Sequence, residues 1–110
     1  MPHDPHKLYE DILQSLEEMQ GFCRGKSFQD FQEDRALQFI VERELEIIGE
    51  ALARLRRDHP DLAKCIRDIH KVIGLRNVLA HGYDMLEHEI LWDIAENKVQ
   101  SLREDIQKLV

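Results

Sequence analysis

The fold is decided by residues 28–57, which read FQDFQEDRALQFIVERELEIIGEALARLRR. Apolar residues recur in this stretch at the three- and four-residue spacing of one face of an α-helix. An unbroken helix of this length would measure about 45 Å, which is too long for a compact monomer of this size. The sequence therefore predicts either a bend near Asp34 or an apolar stripe that packs against a second copy of the chain. The stripe comprises Leu37, Ile40, Val41, Leu45, Ile48, Leu52 and Leu55.

Gly49 lies in the middle of this predicted helix. Glycine at such a position costs about 1 kcal/mol relative to alanine. A close crossing of a second helix would explain why a residue without a side chain stands there. The neighbouring Glu50 could either make a polar contact with another element or simply face water, and the sequence leaves both possibilities open.

Capping signals define the chain before this stretch. Asp4-Pro5 is typical of a helix start, with an N-cap residue followed by proline at the first helical position. The apolar periodicity predicts that this first helix ends near Met19. A loop is expected across residues 21–25, which contain two glycines. Ser27 and Asp30 resemble a capping box, with an aspartate in place of the usual glutamate.

The chain after this stretch is also helical in pattern. Residues 58–60, Asp-His-Pro, stop the long helix and start another, and residues 84–89 are expected to form a turn. Trp92 is expected to be a packing anchor of the last helix. The sequence therefore predicts an all-α antiparallel bundle of four to five helices in a single domain, residues 1–110. The inner faces comprise Leu62, Ile66, Ile69, Val72 and Ile73 in one helix, and Leu91, Ile94, Ala95, Val99, Leu102, Ile106 and Leu109 in the last.

The composition is that of a globular protein in the cytoplasm. Glycine and proline total only eight of 110 residues, which favours long helices over turns. No apolar run reaches the roughly 20 residues that a membrane span needs, and the first residues lack the apolar core of a signal peptide. Cys23 and Cys65 have no metal-ligand spacing, so we expect two reduced thiols.

Charge is distributed unevenly along the chain. The protein carries a formal net charge of -7, which argues against non-specific binding of nucleic acid. Residues 54–76, however, contain seven basic and three acidic residues, so this segment carries +4 while the remainder carries -11. Lys64, Arg67 and Lys71 are candidate RNA contacts within this segment. The alternative is an ordinary solvated helix face, which is the usual meaning of a basic run.

The basic segment leads into Arg76-Asn77-Val78-Leu79-Ala80-His81-Gly82-Tyr83. An arginine can clamp a phosphate through two N–H groups, and a histidine can move protons near neutral pH. Asn77 could orient the imidazole or the phosphate, and Tyr83 offers a hydroxyl as donor or as acceptor of a transferred group. These side-chain types suit cleavage of a phosphodiester without a metal or a cofactor. RNA would supply its own 2′-hydroxyl as the nucleophile.

The spacing of the motif does not place these side chains on one face. Arg76 and His81 are about 140° apart on an ideal helix, whereas Asn77 and His81 are neighbours. A helix distorted near Gly74 or Gly82 could bring the groups together, and so could a partner chain. One histidine per chain is few for acid–base work, and a symmetric dimer would supply two.

Other interpretations of the same residues remain open. Arginine and histidine in a helix are more often surface or capping residues, and tyrosine is more often a core or interface residue. His81, Asp84 and His88 are spaced by three and four residues, which is compatible with a metal site on one helical face. A non-enzymatic partner or nucleotide-binding module is a further alternative, favoured by the small size and the acidic net charge.

The motif resembles the signature of the HEPN superfamily, in which arginine, four residues, histidine, one residue and tyrosine follow one another. The chain is similar in particular to the HepT-type toxins of two-gene bacterial and archaeal modules. Residues 47–51, Ile-Ile-Gly-Glu-Ala, and Leu91-Trp92 support the likeness and lie in the family's order. The resemblance covers nearly the whole chain.

The resemblance implies a helical homodimer with a composite cleft and a metal-independent ribonuclease that inhibits growth. Arg76 and His81 would match the catalytic pair, and Asn77 the intervening polar residue. The implied partner is a nucleotidyltransferase antitoxin of the MNT type, encoded by the adjacent gene. The resemblance further implies that the antitoxin transfers adenylyl groups from ATP to Tyr83. Phosphate at that position would fill the cleft and repel RNA.

Overall fold

In the computed structural model, residues 4–81 and 87–110 are described, with the side chains of Ala80 and His81 left out. These residues form helices and turns, and the described ranges contain no strand. None of the helices within them is long and apolar enough to cross a membrane. The elements are α1 (Pro5–Cys23), α2 (Phe28–Glu33), α3 (Arg35–Asp58), α4 (Pro60–Ala63), α5 (Ile69–His81), α6 (His88–Asp93), a π-helical segment (Ile94–Lys98) and α7 (Val99–Leu109).

The long apolar stretch is interrupted at Asp34, which confirms the first of the two possibilities that its sequence left open. Asp34 ends α2 and caps α3, because its carboxylate accepts a hydrogen bond from the Leu37 N–H at 3.0 Å. The Gln38 amide donates to the carbonyl oxygens of Phe31 and Gln32, at 2.9 and 3.1 Å. The Phe31 carbonyl also accepts from the Asp34 N–H at 3.3 Å, so both side-chain and backbone donors bind the carbonyl groups at the end of α2.

The first helix begins where the sequence predicts and ends later. Asp4 accepts from the His6 N–H at 2.9 Å, and Pro5 is the first helical residue. The predicted end near Met19 is wrong, since α1 continues through Gly21 to Cys23. Nothing lies within 4 Å of a Cβ built on Gly21, so its only cost to the helix is one of propensity. The capping box of Ser27 is confirmed, with both reciprocal hydrogen bonds present.

The helix predicted to follow Pro60 is divided into α4 and α5. The interruption has a tertiary cause, because the Arg67 N–H donates to the Asp105 carboxylate of α7 at 3.0 Å instead of to a helical carbonyl. The last helix contains a π-helical segment that the apolar spacing did not predict. The predicted end of the turn at residue 89 is wrong, since α6 begins at His88. The first part of that predicted turn, residues 84–86, lies outside the described ranges.

The helices pack around one cluster of buried side chains. α1 and α3 are antiparallel, since Glu18 interacts with Glu44 while Leu8 lies beside Ala51. α3 also packs against α5, and α7 packs against α1. Trp92 is a packing anchor, as predicted, and its ring centroid lies 5.1 Å from that of Phe31. The most deeply buried side chains include Ile12, Leu16, Met19, Phe31, Val41, Ile48, Leu52, Leu55 and Ile106.

Candidate active site at the crossing of α3 and α5

Arg76 lies where α5 crosses α3, directly over Gly49. A Cβ built on Gly49 would overlap Cβ of Arg76, would lie 2.9 Å from its Cγ, and would contact the carbonyl oxygen of Val72 at 3.4 Å. These positions leave no room for a side chain. The close crossing predicted from Gly49 is therefore confirmed. It brings the backbone of α3 against the base of the Arg76 side chain.

The guanidinium of Arg76 has two described hydrogen-bond partners. Nη2 donates to Oε2 of Glu50 at 2.5 Å, and Nη1 donates to Oδ1 of Asn77 at 3.0 Å. The side chain remains 32% exposed. A guanidinium carries five N–H donors, so three remain for a ligand, which is enough for a bidentate bond to phosphate.

Glu50 makes a polar contact, which resolves the question that its sequence position left open. Its second oxygen, Oε1, accepts from Nε of Arg54 at 3.1 Å. One carboxylate therefore bridges two arginines, from α3 and α5. The sum of these three side-chain charges is +1, so a net cationic group faces solvent.

The three side chains open onto a groove of about 430 Å³ between α1 and α3. Arg43 and Glu46 also line it and pair with each other at 3.4 Å. The wall on α1 is formed by Leu8 and Asp11, the latter paired with Lys7 at 2.9 Å. The groove gives the Arg76 guanidinium access to solvent.

The structure describes the motif helix as far as the backbone of His81. His81 is the last residue of α5, so the backbone is helical from Arg76 to His81 and the two residues are about 7.5 Å apart along the axis. The helix is continuous through Gly74, which removes a distortion at that residue as a way of joining the two side chains. The side chain of His81, together with Gly82 and Tyr83, lies outside the described residues.

The three candidate RNA contacts have different surroundings. Lys64 is exposed and lies 3.9 Å from an equally exposed Asp61. Lys71 is exposed on α5. The guanidinium of Arg67 pairs with Asp105 at 3.0 Å and Glu104 at 3.4 Å, and these bonds raise its pKa. Arg67 thus links two parts of the fold, and the two carboxylates offset its positive charge.

Several polar contacts in the fold were not predicted. The Glu50–Arg54 pair has a local signal, since glutamate four residues before arginine is a known helix-stabilising arrangement. The Glu50–Arg76 pair has none, because the two residues are 26 positions apart. A second such contact joins Nη1 of Arg56 to Nδ1 of His70 at 2.6 Å, near the start of α5.

The metal-site alternative depends on residues that are mostly undescribed. His88 is the first residue of α6, whereas Asp84 and the His81 side chain lie outside the described set. Within that set, no group of three or more His, Cys, Asp or Glu side chains could hold a metal ion.

Comparisons with known proteins point to a single family. Residues 12–109 match the family model described as "Ribonuclease HepT-like". The chain is 34% identical over 109 residues to a protein of Thermococcus cleftensis named "Probable ribonuclease HepT", with 94% of each chain covered. It is 32% identical over 100 residues to a protein of Methanocaldococcus jannaschii provisionally named as an RNase, covering 91% of this chain and 82% of that one. No solved structure matches the chain.

Proposed function

Because the chain belongs to the HepT-like ribonuclease family, we propose that it is a metal-independent RNA endonuclease with Arg76 and His81 as its catalytic pair. The observation that carries the proposal is the setting of Arg76. Its guanidinium is oriented by Glu50 and Asn77, remains partly exposed, and begins the five-residue step to His81 on α5. An arginine held in this way suits a negatively charged phosphate.

The proposed reaction is an internal transfer at phosphorus. One histidine accepts the proton of the 2′-hydroxyl, the 2′-oxygen forms a bond to phosphorus, and the bond to the 5′-oxygen breaks. A second histidine donates a proton to the departing 5′-oxygen, which leaves a 2′,3′-cyclic phosphate. Arg76 stabilises the charge that grows on the phosphoryl oxygens, and Asn77 holds the other side of the guanidinium.

A homodimer supplies the second histidine of this reaction. Each chain offers one motif, and Arg76 and His81 are separated by about 140° around the axis of α5. A shared cleft would let the groups of two chains face one phosphate. The dimer belongs to the proposal, as do Lys64, Arg67 and Lys71 as contacts to flanking phosphates.

The proposal is tested by RNA cleavage with purified protein in the presence of a chelator. We expect the wild type to cleave and His81→Ala to lose activity by at least about a hundredfold. Arg76→Ala should be similarly inactive, and Arg76→Lys only partly active, because lysine lacks the two-pronged geometry. Equal cleavage by the wild type and His81→Ala would refute the assignment.

We further propose that the protein is the toxin of a two-gene module. Its partner would be an MNT-type nucleotidyltransferase antitoxin that adenylylates Tyr83. The tyrosine lies two residues beyond His81, so an added phosphate would put negative charge beside the catalytic pair. Inducible expression of the chain alone should arrest growth, and co-expression of the adjacent gene should restore it.

A second function is favoured by the acidic character of the molecule. The net charge of -7 and the pairing of Arg67 with two carboxylates suit a non-catalytic partner or nucleotide-binding module of a nucleotidyltransferase. Such a protein would bind the nucleotidyltransferase tightly without inhibiting growth. Growth inhibition that His81→Ala abolishes would exclude this alternative.

A further inference from the structure

We propose that Glu50 is a positioning residue for Arg76, which sets the orientation of the guanidinium toward the scissile phosphate. The inference rests on the proposed function and concerns a residue outside the Arg76–His81 motif. It follows from a contact between two helices rather than from the motif itself.

The side chain of Arg76 has little conformational freedom in this structure. An exposed arginine side chain samples many rotamers, and holding it in one costs conformational entropy. Here the base of the side chain lies against the backbone at Gly49, and its tip is bonded on both Nη atoms, by Glu50 and by Asn77. Contacts at the base and at the tip together define the plane of the guanidinium.

The carboxylate of Glu50 is itself held in place by a second arginine. Glu50 is held by Arg54 through its other oxygen, so it cannot turn away from Arg76 without breaking that bond as well. Both residues belong to α3, whose buried face fixes their position. The chain thus orients its phosphate-binding group from a rigid helix, which is how precise sites are held.

The contacts of Glu50 favour a positioning role over direct catalysis. The described contacts of the Glu50 carboxylate are with arginines, one at each oxygen. Both contacts are with arginine side chains, and the contact with Arg76 reaches the group proposed to bind the phosphate. Glu50 therefore acts through Arg76, and its loss should lower kcat while leaving KM nearly unchanged, because misplacement of a catalytic group acts on the transition state.

The test compares Glu50→Ala and Glu50→Gln with a control, Glu33→Gln. Glu33 is exposed on α2, accepts from the Gln29 amide at 3.3 Å, and does not line the groove of Arg76. We expect Glu50→Ala to lower kcat by about tenfold to a hundredfold with KM within about twofold. Glu50→Gln should lose less, because its amide oxygen can still accept from Arg76. Glu33→Gln should stay within about twofold of the wild type.

A double-mutant cycle shows whether Glu50 acts through Arg76. In an Arg76→Lys background, Glu50→Ala should cause little further loss, since the group that it orients is gone. An equal loss in both backgrounds would overturn the proposal, and so would Glu50→Ala cleaving within about twofold of the wild type or a change confined to KM. Thermal unfolding of each variant verifies the fold, and Glu50→Gln replaces Glu50→Ala if the latter unfolds.

A second measurement does not depend on cleavage. NMR of the arginine side chains reports rotation about the Nε–Cζ bond, and we expect resolved Nη resonances of Arg76 in the wild type that average together in Glu50→Ala. Averaged resonances in the wild type would overturn the positioning role. Wild-type levels of cleavage by Arg76→Ala would instead refute the proposed function, so the two failures are distinguishable.

Discussion

Gly49 is the residue on which the approach of α3 and α5 depends. Its missing side chain lets Arg76 and the Val72 carbonyl lie against the α3 backbone. We expect Gly49→Ala to destabilise the protein by about 1–3 kcal/mol, because overlap with a packed neighbour outweighs the gain in helix propensity. Urea denaturation measures the change.

Gly74 provides the matched control for this prediction. It is also helical, and nothing lies within 4 Å of a Cβ built on it. Gly74→Ala should therefore stabilise the protein by up to about 1 kcal/mol. Equal effects of the two substitutions would contradict the close crossing.

RNA cleavage should fall in Gly49→Ala, since a shifted Arg76 side chain leaves the position set by Glu50.

Glu44 is a buried carboxyl group between α1 and α3. Burial raises its pKa to about 7, as do the nearby charge and hydrogen bond of Glu18, while Ser15 and Arg43 oppose the rise. The folded protein therefore holds this proton more tightly than the unfolded chain, whose carboxyl has an ordinary pKa near 4.5. The resulting stabilisation is complete below that ordinary pKa and is lost as pH rises through 7.

The substitution Glu44→Gln tests this linkage. We expect the wild type to lose on the order of 2 kcal/mol of unfolding free energy between pH 5 and pH 8 from this group. The variant should lack that component, because its amide does not titrate. Glu17→Gln, an exposed position on α1, is the control and should keep the wild-type dependence. A pH profile unchanged in Glu44→Gln would contradict the assignment.

At the scale of elements, one ion pair joins the turn before α5 to α7. Asp105 is buried and accepts from both the backbone and the guanidinium of Arg67. Burial alone would raise its pKa, but the hydrogen bonds and charge of Arg67 outweigh burial and lower it. The carboxylate therefore stays charged at neutral pH and holds the segment that leads into the motif helix.

Removal of this carboxylate should loosen that segment. We expect Asp105→Ala to cost about 1–3 kcal/mol, since it leaves the Arg67 N–H without its partner. The neighbouring Glu104 is about half exposed and lies 3.4 Å from the same guanidinium. Glu104→Gln should cost less than about 1 kcal/mol, as exposed pairs do. Thermal unfolding of the two variants under the same conditions gives the comparison, and a larger loss in Glu104→Gln would reverse our interpretation.

At the scale of the whole molecule, the prediction concerns modification by a partner. Co-expression with the proposed nucleotidyltransferase partner should raise the intact mass of this chain by adenylyl units. Tyr83→Phe should abolish the increase, because the accepting hydroxyl is gone. An unchanged increase in Tyr83→Phe would place the modification elsewhere, and Tyr9, which is buried in α1, is not expected to react.

The dimensions and net charge of the whole molecule bear on where the proposed substrate would bind. The chain measures 43 × 28 × 19 Å, so it is about two helices thick. Because its net charge is negative, the proposed RNA substrate would have to be attracted locally, near Arg54, Arg76 and the basic lead-in to α5.

The sequence by itself determined the features that depend on near neighbours. Helical periodicity, the caps at Asp4 and Ser27 and the stop at Pro60 all arise from interactions within a few residues. Gly49 also predicted a close crossing, because the approach of a second helix explains why a residue without a side chain stands in the middle of α3. The motif supplied the candidate residues Arg76 and His81.

Only the tertiary structure decided which side chains meet. The end of α1 at Cys23 and the π-helical segment depend on packing that outweighs local propensity. The contacts of Glu50 with Arg76 and of Arg67 with Asp105 span 26 and 38 positions. Helical periodicity shows which face of a helix is buried, but not which partner helix lies against it or at what height. The identity of the partner helix and the height at which it crosses fix the orientation of Arg76. The positioning of Arg76 by Glu50 therefore follows from the fold and not from the motif.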